Sequence, residues 1–518
     1  MTETGIIPVY KTCSDHGIPY IVIKGFGIPT RGPGLWKLNN QLLADKNYVY
    51  EMQAEIPKWI TEAERDLPEN LGAQWGYLKH KIGEFSRVYG AKLKKARSIL
   101  KAQIENELED LRKNLNGQNK LHYLELKEKL EEIVENEVKG VILRSLCDDY
   151  EKGERCTKYF FSLEKFRAKQ KSLNRIKLPC GSMTSNPKTI LNECRLFYQK
   201  LYSRNLEVDP SCQPDFFENE NIPKVNQSQK GSCEADLTEE ELLRTLKSFR
   251  KNKSPGLDGL SAEFYVTFWD NIKEKLIAVY SQSFELGLLP ESMRIGVITL
   301  LEKKGKDRSN IANWRPITLL NMDYKILTKT LSTRLKPILS SLVHPDQNGF
   351  VPGGSIFFSS HTIRDILFYC KKENVDLILM ALDYTKAFDS VDFEFIFKTF
   401  VTFGFGPKFQ KWIKILYEKG KSCISNNGNI SEPFEIERST RQGDPISPIV
   451  FILGLEILLI SIRSDENIKG LKIEKNELKL TAYADDSSYF LKDKKSAEFL
   501  LIKVDLFSKV SVVYKGNK

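Results

Sequence analysis

Aspartates at the ends of apolar segments constrain the possible folds of this chain more than any other feature of its sequence. An uninterrupted apolar run, Leu377–Leu382, is followed directly by Asp383. Further along, residues 480–490 read as a strand, an acidic turn with Asp485 and Asp486, and a second strand. This pattern predicts a buried strand and a β-hairpin that exposes two adjacent carboxylates at its tip. If the hairpin pairs beside the first strand, Asp383 and Asp485 converge on one point.

Carboxylates that converge in this way suit a divalent cation. Mg²⁺ typically binds one or two protein carboxylates and completes its shell with water and phosphate oxygens. Two such ions can activate a hydroxyl group and stabilise a pyrophosphate leaving group in an in-line displacement. Each feature alone is more often ordinary turn chemistry, because aspartate is common in turns. The acidic segments therefore indicate a catalytic metal site only in combination with the segments around them.

Two further segments carry groups suited to a nucleotide. Arg441–Pro448 is a loop containing Gly and Pro that runs into an apolar helix pattern, and Ser447 can cap that helix. Upstream, the lysine-rich turn Leu301–Asp307 precedes a strand that bears Arg315. A triphosphate clamp needs such cations, because guanidinium binds phosphate oxygens through two hydrogen bonds. Considered alone, the lysines are more often a solvated loop and the Gly-Pro loop an ordinary helix start.

Composition excludes several classes of protein. The formal net charge of +10 favours polyanionic partners. The nine cysteines include no C-x-x-C pair, which argues against a zinc ribbon or a disulfide framework. The longest apolar run, Ile449–Ile462, contains Glu456 and falls short of the roughly 18 uncharged residues of a membrane span. Residues 1–11 show no signal-peptide pattern. We therefore expect an intracellular protein without a membrane segment, and a buried core helix at 449–462.

Four stretches of differing composition predict the domain organisation. Residues 1–41 contain a strand at Ile18–Ile23 and a loop rich in Gly and Pro. Residues 42–202 are mostly helical in pattern, with Glu and Lys three and four residues apart, which indicates a packed helical arm or a surface that contacts RNA. An oligomerising coiled coil is disfavoured, because sustained heptads are missing. Residues 203–235 predict a flexible linker. Residues 236–518 alternate helical patterns with short strands, which predicts an α+β domain.

The ordered motifs of the chain resemble the reverse transcriptase of LINE-type (non-LTR) retrotransposons. The resemblance implies an α+β fold with the fingers and palm of a right-hand polymerase at residues 236–518. An antiparallel palm sheet with helices, a preceding helical region and a missing thumb are part of that expectation. The matching motifs are Ser254–Gly259, Trp314–Asn321, Gln347–Phe350, Asp383–Asp389, Arg441–Pro448 and Tyr483–Asp486, with Gly153–Lys165 upstream.

This resemblance implies an RNA-directed DNA polymerase that transfers nucleotides from dNTPs to a primer 3′-hydroxyl. Asp383 and Asp485 would be the principal ligands of two Mg²⁺ ions, with Asp486 beside them, and Mn²⁺ is a possible substitute. Phe388 matches the family's steric gate, whose bulky ring collides with a ribose 2′-hydroxyl; its other interpretation is a core aromatic. The expected partners are an RNA template, a DNA primer and dNTPs. The oligomeric state stays open.

The resemblance also implies roles for residues that bind the nucleotide. Lys303 and Arg315 would hold the triphosphate, although Lys304 is an alternative to Lys303 because the alignment is uncertain by one residue. Gln442 and Gly443 would lie along the template and the incoming base.

The N-terminal residues resemble the tail of the apurinic-type endonuclease that precedes this polymerase in its family. The resemblance rests on Ser14–His16 and on Arg31–Asn39. We expect Asp15 and His16 to be an inert remnant, because the rest of the nuclease has no counterpart in this sequence.

Departures from the family pattern leave a second interpretation open. Gly353–Gly354 stands where Gly-Arg is usual, Ser439 stands where Gly is usual, and the block at 512–518 is only partly recognisable. With the thumb also missing, the alternative is a catalytically idle remnant that only binds nucleic acid through its basic surface.

Overall fold

The computed structural model describes residues 2–7, 18–23, 32–114, 116–145, 172–204, 214–384 and 387–511. Helices and several sheets alternate along these residues, which confirms a mixed fold. At the N-terminus, the antiparallel pair β1 (Thr2–Ile7) and β2 (Ile18–Ile23) includes the strand expected there.

Three long helices follow, as the charge pattern predicts. They are α1 (Lys46–Asp66), α2 (Leu71–Lys113) and α3 (Lys120–Ser145). The Asn70 side chain accepts a hydrogen bond from the Ala73 amide and caps α2. The first turns of α2 pack in the main core, whereas its distal part forms a small separate cluster with α3. That cluster is built on Ile104, Leu108, Leu126 and Leu130.

The described residues from 214 onward differ from the flexible linker expected over 203–235. Asn226 and Gln229 form a capping box at the start of a helix. Phe216 and Phe217 are buried in the main core, so this segment packs against the helices around it. Two adjacent aromatic residues were too few to give a periodic signal in the sequence. The elements between 172 and 235 are β3 (Ile176–Lys177), β4 (Met183–Thr184), α4 (Pro187–Tyr202), α5 (Pro214–Phe217) and α6 (Gln227–Glu234).

From residue 239 the described chain alternates helices with short strands. The helices are α7 (Glu239–Lys247), α8 (Ala262–Thr267), α9 (Trp269–Leu286), α10 (Glu291–Arg294), α11 (Met322–Leu342), α12 (Ile356–Glu373), α13 (Phe393–Thr402), α14 (Pro407–Tyr417), α15 (Ser447–Ser464) and α16 (Lys494–Ser511). The strands are β5 (Ile295–Glu302), β6 (Trp314–Leu319), β7 (Ile378–Asp383), β8 (Lys421–Asn426), β9 (Asn429–Ile430), β10 (Phe434–Glu435), β11 (Leu471–Ile473), β12 (Asn476–Leu478), β13 (Leu480–Tyr483) and β14 (Asp486–Leu491).

Two sheets frame the region that the sequence motifs mark. The larger sheet has the order β10-β8-β5-β6, with β9 paired to β8. Its β5 and β8 are parallel, and its other pairs are antiparallel. The smaller sheet has the order β13-β14-β7 and is antiparallel throughout, as expected for the strands around the aspartates.

The apolar run expected to form a core helix does so. Helix α15 is long and apolar enough to cross a membrane by composition, but 83% of it is buried inside the fold. Pro448 occupies its first turn, where the missing amide hydrogen costs nothing. Gly454 lets the helix approach the Phe395 ring, since a Cβ there would lie 3.0 Å from that ring. The helix is thus the centre of the core that supports the smaller sheet.

A buried ion cluster attaches the N-terminal helices to the rest of the fold. Lys79 on α2 lies 2.6 Å from Asp323 and 3.2 Å from Asp258, and all three side chains are buried. Burial lowers the pKa of Lys79, but the two carboxylates outweigh it and hold that pKa above its ordinary value. Burial raises the pKa of Asp258 to about 6, against the opposing effect of Lys79. Trp75 donates a further hydrogen bond to Asp323.

Candidate active site

The smaller sheet brings the three predicted aspartates together. In its register, Asp486 at the start of β14 lies directly opposite Asp383 at the end of β7. Residues directly opposite each other in an antiparallel pair have Cβ atoms about 4.5–5.5 Å apart. Asp485 lies in the two-residue turn that joins β13 to β14. Asp383 and Asp486 are exposed, and Asp485 is partly buried.

The three carboxylates influence one another electrostatically. Burial raises the pKa of Asp485, and the negative charges of Asp486 and Asp383 raise it further. Beneath them, the buried hydroxyls of Tyr384 and Tyr489 lie 2.9 Å apart, and Ser487 donates to Tyr384 at 3.3 Å. The site therefore places carboxylates that repel one another above hydroxyl groups that are hydrogen-bonded to one another. A bound cation would stabilise this arrangement by offsetting the repulsion.

The donor set fits a magnesium ion of the kind that binds few protein groups. Within the ranges that the structure describes, no group of three or more ligating side chains is arranged around one point. Mg²⁺ does not require such a group, because one or two carboxylates suffice when water and phosphate oxygens complete its shell. Asp383 and Asp486, opposite each other and exposed, offer two carboxylates of this type.

Gln347 holds the acidic turn in shape, a role that the sequence analysis missed. Its side-chain oxygen accepts hydrogen bonds from the Gly349 amide at 2.8 Å and from the Ala484 amide at 2.9 Å. Ala484 has a φ of +55°, a left-handed conformation that is uncommon outside glycine. Gly349 is pressed against Ala484, and a Cβ at this glycine would collide with the Ala484 nitrogen. The Gln347–Phe350 motif was the signal, but its sequence gives no indication of which distant turn it contacts.

Phe388, the residue predicted to be the gate, lies five residues beyond Asp383. It belongs to a short 3₁₀ helix, Ala387–Asp389, just beyond β7. Its partly buried ring stacks on Phe451 of α15, with ring centroids 4.2 Å apart. The Phe350 ring also meets the Phe388 ring edge-on, with centroids 6.3 Å apart. Packing thus fixes the orientation of Phe388 while leaving part of it accessible.

Gln442 and Gly443 contact β6, and Gln442 also contacts the short helix that follows β7. The Gln442 amide donates to Asp389 at 3.2 Å, and its backbone oxygen accepts a bond from the Thr318 amide of β6. Gly443 has a φ of +110°, and a Cβ there would lie 2.5 Å from the Thr318 carbonyl oxygen. Ser439, noted as a departure from the family, takes a φ of +129°, a conformation that favours glycine.

Lys303 and Arg315 share one face of the larger sheet. Arg315 on β6 is exposed and lies opposite Leu301 of β5, while the Lys303 amide bonds to the Asn313 carbonyl just beyond the strand. Leu301 lies opposite Arg315, and Lys303 follows two positions later, so strand alternation continues the face of Arg315 to Lys303. Lys304 lies in the turn that follows. Asp15 and His16 lie outside the described residues.

Comparison with known proteins agrees with this geometry. Residues 301–512 match the family described as "Reverse transcriptase (RNA-dependent DNA polymerase)". The chain is 33% identical to an uncharacterised 149 kDa protein of transposon TX1 from Xenopus laevis, over 87% of this chain and 34% of that protein. It is 27% identical to the Pol polyprotein of retrotransposable element R2DM from Drosophila melanogaster, over 54% of this chain and 26% of that protein. Residues 301–512 are thus a domain of the reverse transcriptase family, and the chain is similar to proteins of non-LTR retrotransposons.

A further relative supports this similarity. The probable RNA-directed DNA polymerase from transposon BS of Drosophila melanogaster is 22% identical over 41% of this chain and 24% of that protein. The chain spans about a third of the TX1 protein and about a quarter of the other two. The family match begins at the end of β5 and extends through α16, so it contains the whole smaller sheet with all three aspartates and the larger sheet apart from most of β5.

Proposed function

We propose that this chain is an RNA-directed DNA polymerase that adds deoxynucleotides to a primer 3′-hydroxyl on an RNA template. The observation that carries the proposal is the register of the smaller sheet, in which Asp383 and Asp486 lie opposite each other beside the turn at Asp485. The reverse transcriptase domain at residues 301–512 and the net positive charge support it.

Asp383, Asp485 and Asp486 would hold two Mg²⁺ ions, or Mn²⁺ in their place. When bound, these ions supply charge neutralisation at the attacking and leaving oxygens of the transfer. The aspartates contribute by their placement, since a preorganised acidic site needs no rearrangement when charge develops. The raised pKa of Asp485 would fall when a cation offsets the repulsion from its two neighbours.

The remaining predicted residues would bind and select the nucleotide. Arg315 and Lys303 would hold the triphosphate from the shared face of the larger sheet. Gln442 and Gly443 would line the path of the template and the incoming base, where the lack of a side chain at Gly443 permits close approach. Phe388, braced against α15, would exclude a ribose 2′-hydroxyl.

We assign the larger sheet to the fingers and the smaller sheet to the palm, within residues 236–518. The helices of 42–202 would support the fingers through the buried cluster at Lys79. The partners under this proposal are an RNA template, a DNA primer and dNTPs. We place the protein inside the cell, where these partners occur.

Primer extension on poly(rA) with an oligo(dT) primer, labelled dTTP and Mg²⁺ tests the proposal. The control is the double variant Asp485→Ala, Asp486→Ala, with a salt titration of RNA binding for both proteins. Incorporation by the native chain that is lost in the variant supports the polymerase. Salt-sensitive RNA binding without incorporation by the native chain identifies the idle remnant instead.

A further inference from the structure

We propose that Phe350 forms part of the nucleotide-binding surface and packs against the planar base and apolar sugar face of the nucleotide at the growing end. The inference rests on the proposed polymerase function and deepens it. Three observations support it: the backbone conformation of Phe350, the exposure of its ring, and its position beside Phe388 and the acidic turn.

The backbone of Phe350 has a conformation that suits glycine. Its φ is +57°, in the left-handed region that bulky side chains seldom adopt. The residues before it enforce this conformation, because the Asn348 amide bonds to the Ala482 carbonyl and Gly349 is wedged against Ala484. Local strain of this kind concentrates at functional sites. A glycine would satisfy the backbone at this position, so the phenyl ring needs another explanation.

Burial in the hydrophobic core does not explain the phenyl ring of Phe350. Phe350 is 50% exposed as a residue, although burial of an aromatic ring is strongly favourable. Its aromatic contact is with Phe388, edge-on at 6.3 Å, and Phe388 already has a closer stacked partner in Phe451. Phe350 therefore exposes an apolar ring face on which a ligand can pack.

The position of this face identifies the ligand. Phe350 follows Gly349, which touches the turn leading to Asp485, and its ring meets Phe388, which follows Asp383. The ring thus contacts the proposed sugar gate and follows the glycine that packs against the acidic turn. Nucleobases and deoxyriboses present flat apolar faces, and an aromatic ring that stacks on a base contributes strongly to binding. The ligand is either the incoming dNTP or the terminal base pair of the primer–template.

The variant Phe350→Gly separates this role from a structural one. We expect its urea midpoint to be equal to or above that of the native chain, because glycine relieves the strained backbone. We expect its kcat/KM for dTTP to fall by roughly tenfold or more, since base stacking is lost. Phe350→Tyr should retain most of the native value. Phe358→Ala, which removes a 55% exposed ring from α12, is the matched control and should change neither quantity.

Binding measurements identify the ligand and keep the inference testable without turnover. A raised KM for dTTP with unchanged primer–template affinity, measured by fluorescence anisotropy, would place the incoming nucleotide on the ring. A weakened primer–template affinity would place the terminal base pair there. Native-level binding and turnover in Phe350→Gly would overturn the inference while leaving the polymerase assignment intact. A native chain that binds the hybrid but incorporates nothing contradicts the proposed function. The affinities of Phe350→Gly for the hybrid and for dTTP, compared with those of the native chain, then decide the inference alone.

Discussion

Replacing Gln347 by methionine tests whether one buried amide shapes the catalytic turn. Methionine fills a similar volume, but its thioether sulfur is only a weak hydrogen-bond acceptor. In the native chain Gln347 is 2% exposed, and its oxygen accepts bonds from the Gly349 and Ala484 amides at 2.8 and 2.9 Å. The variant leaves both backbone donors buried without a strong acceptor.

The expected loss of stability follows from those two donors. An unsatisfied buried donor costs about 1–3 kcal/mol, so the free energy of unfolding should fall by about 2–6 kcal/mol. The native bonds also hold Ala484 in its left-handed conformation, so the turn should relax and displace Asp485. Nucleotide incorporation should then fall by more than the loss of folded protein explains.

Urea unfolding and primer extension, both at a temperature where the variant remains folded, measure the two effects. Gln347→Glu keeps the acceptor and should retain more stability than Gln347→Met. Gln410→Met is the matched control, since it removes a single side-chain bond, to the Phe405 carbonyl, far from the turn. The reasoning is refuted if Gln347→Met unfolds at the native urea concentration and extends primers at the native rate.

Three further predictions concern other parts of the molecule. Lys79→Met leaves two buried carboxylates unpaired and should lower the free energy of unfolding by about 3–5 kcal/mol in urea, whereas the exposed Lys95→Met should change it little. Phe388→Val should raise the use of ribonucleotides relative to deoxynucleotides by roughly 10- to 200-fold in competition assays, because it removes the bulk that meets the 2′-hydroxyl. Burial raises the pKa of Glu456 from 4.5 to about 7, so its contribution to stability is complete below pH 4.5 and is lost as the pH rises through 7. Glu456→Gln should therefore flatten the decline of Tm with pH over that interval; an unchanged slope would contradict this assignment.

The sequence predicts the strands of the smaller sheet well, because the patterns that indicate them are local. The apolar run before Asp383 and the strand–turn–strand pattern around Asp485 identify all three strands. The pattern does not predict the register that sets Asp486 opposite Asp383, since pairing between distant strands depends on the packing of the whole sheet. The sequence also predicted the core helix α15 correctly, because an apolar run of this length is typical of a buried helix.

The sequence could not predict contacts between residues that are far apart along the chain. Gln347 and Ala484 are bonded although 137 positions separate them, and neither residue type is unusual in its local context. Lys79 likewise appears as one cation among many on a helix, although its partner Asp323 lies 244 positions away. Burial, which gives these polar residues their importance, is a property of the assembled fold.

Single-turnover incorporation of one deoxynucleotide by Asp383→Asn tests the central claim most directly. The substitution keeps the size of the side chain but removes one of the two opposing carboxylates. Asp376→Asn, at an exposed carboxylate just before the same strand, is the matched control. We predict that Asp383→Asn loses at least about a thousandfold in rate at saturating Mg²⁺, equivalent to about 4 kcal/mol of transition-state stabilisation, while Asp376→Asn keeps the native rate. A folded Asp383→Asn protein that incorporates at the native rate would contradict the assignment of this sheet as the polymerase active site.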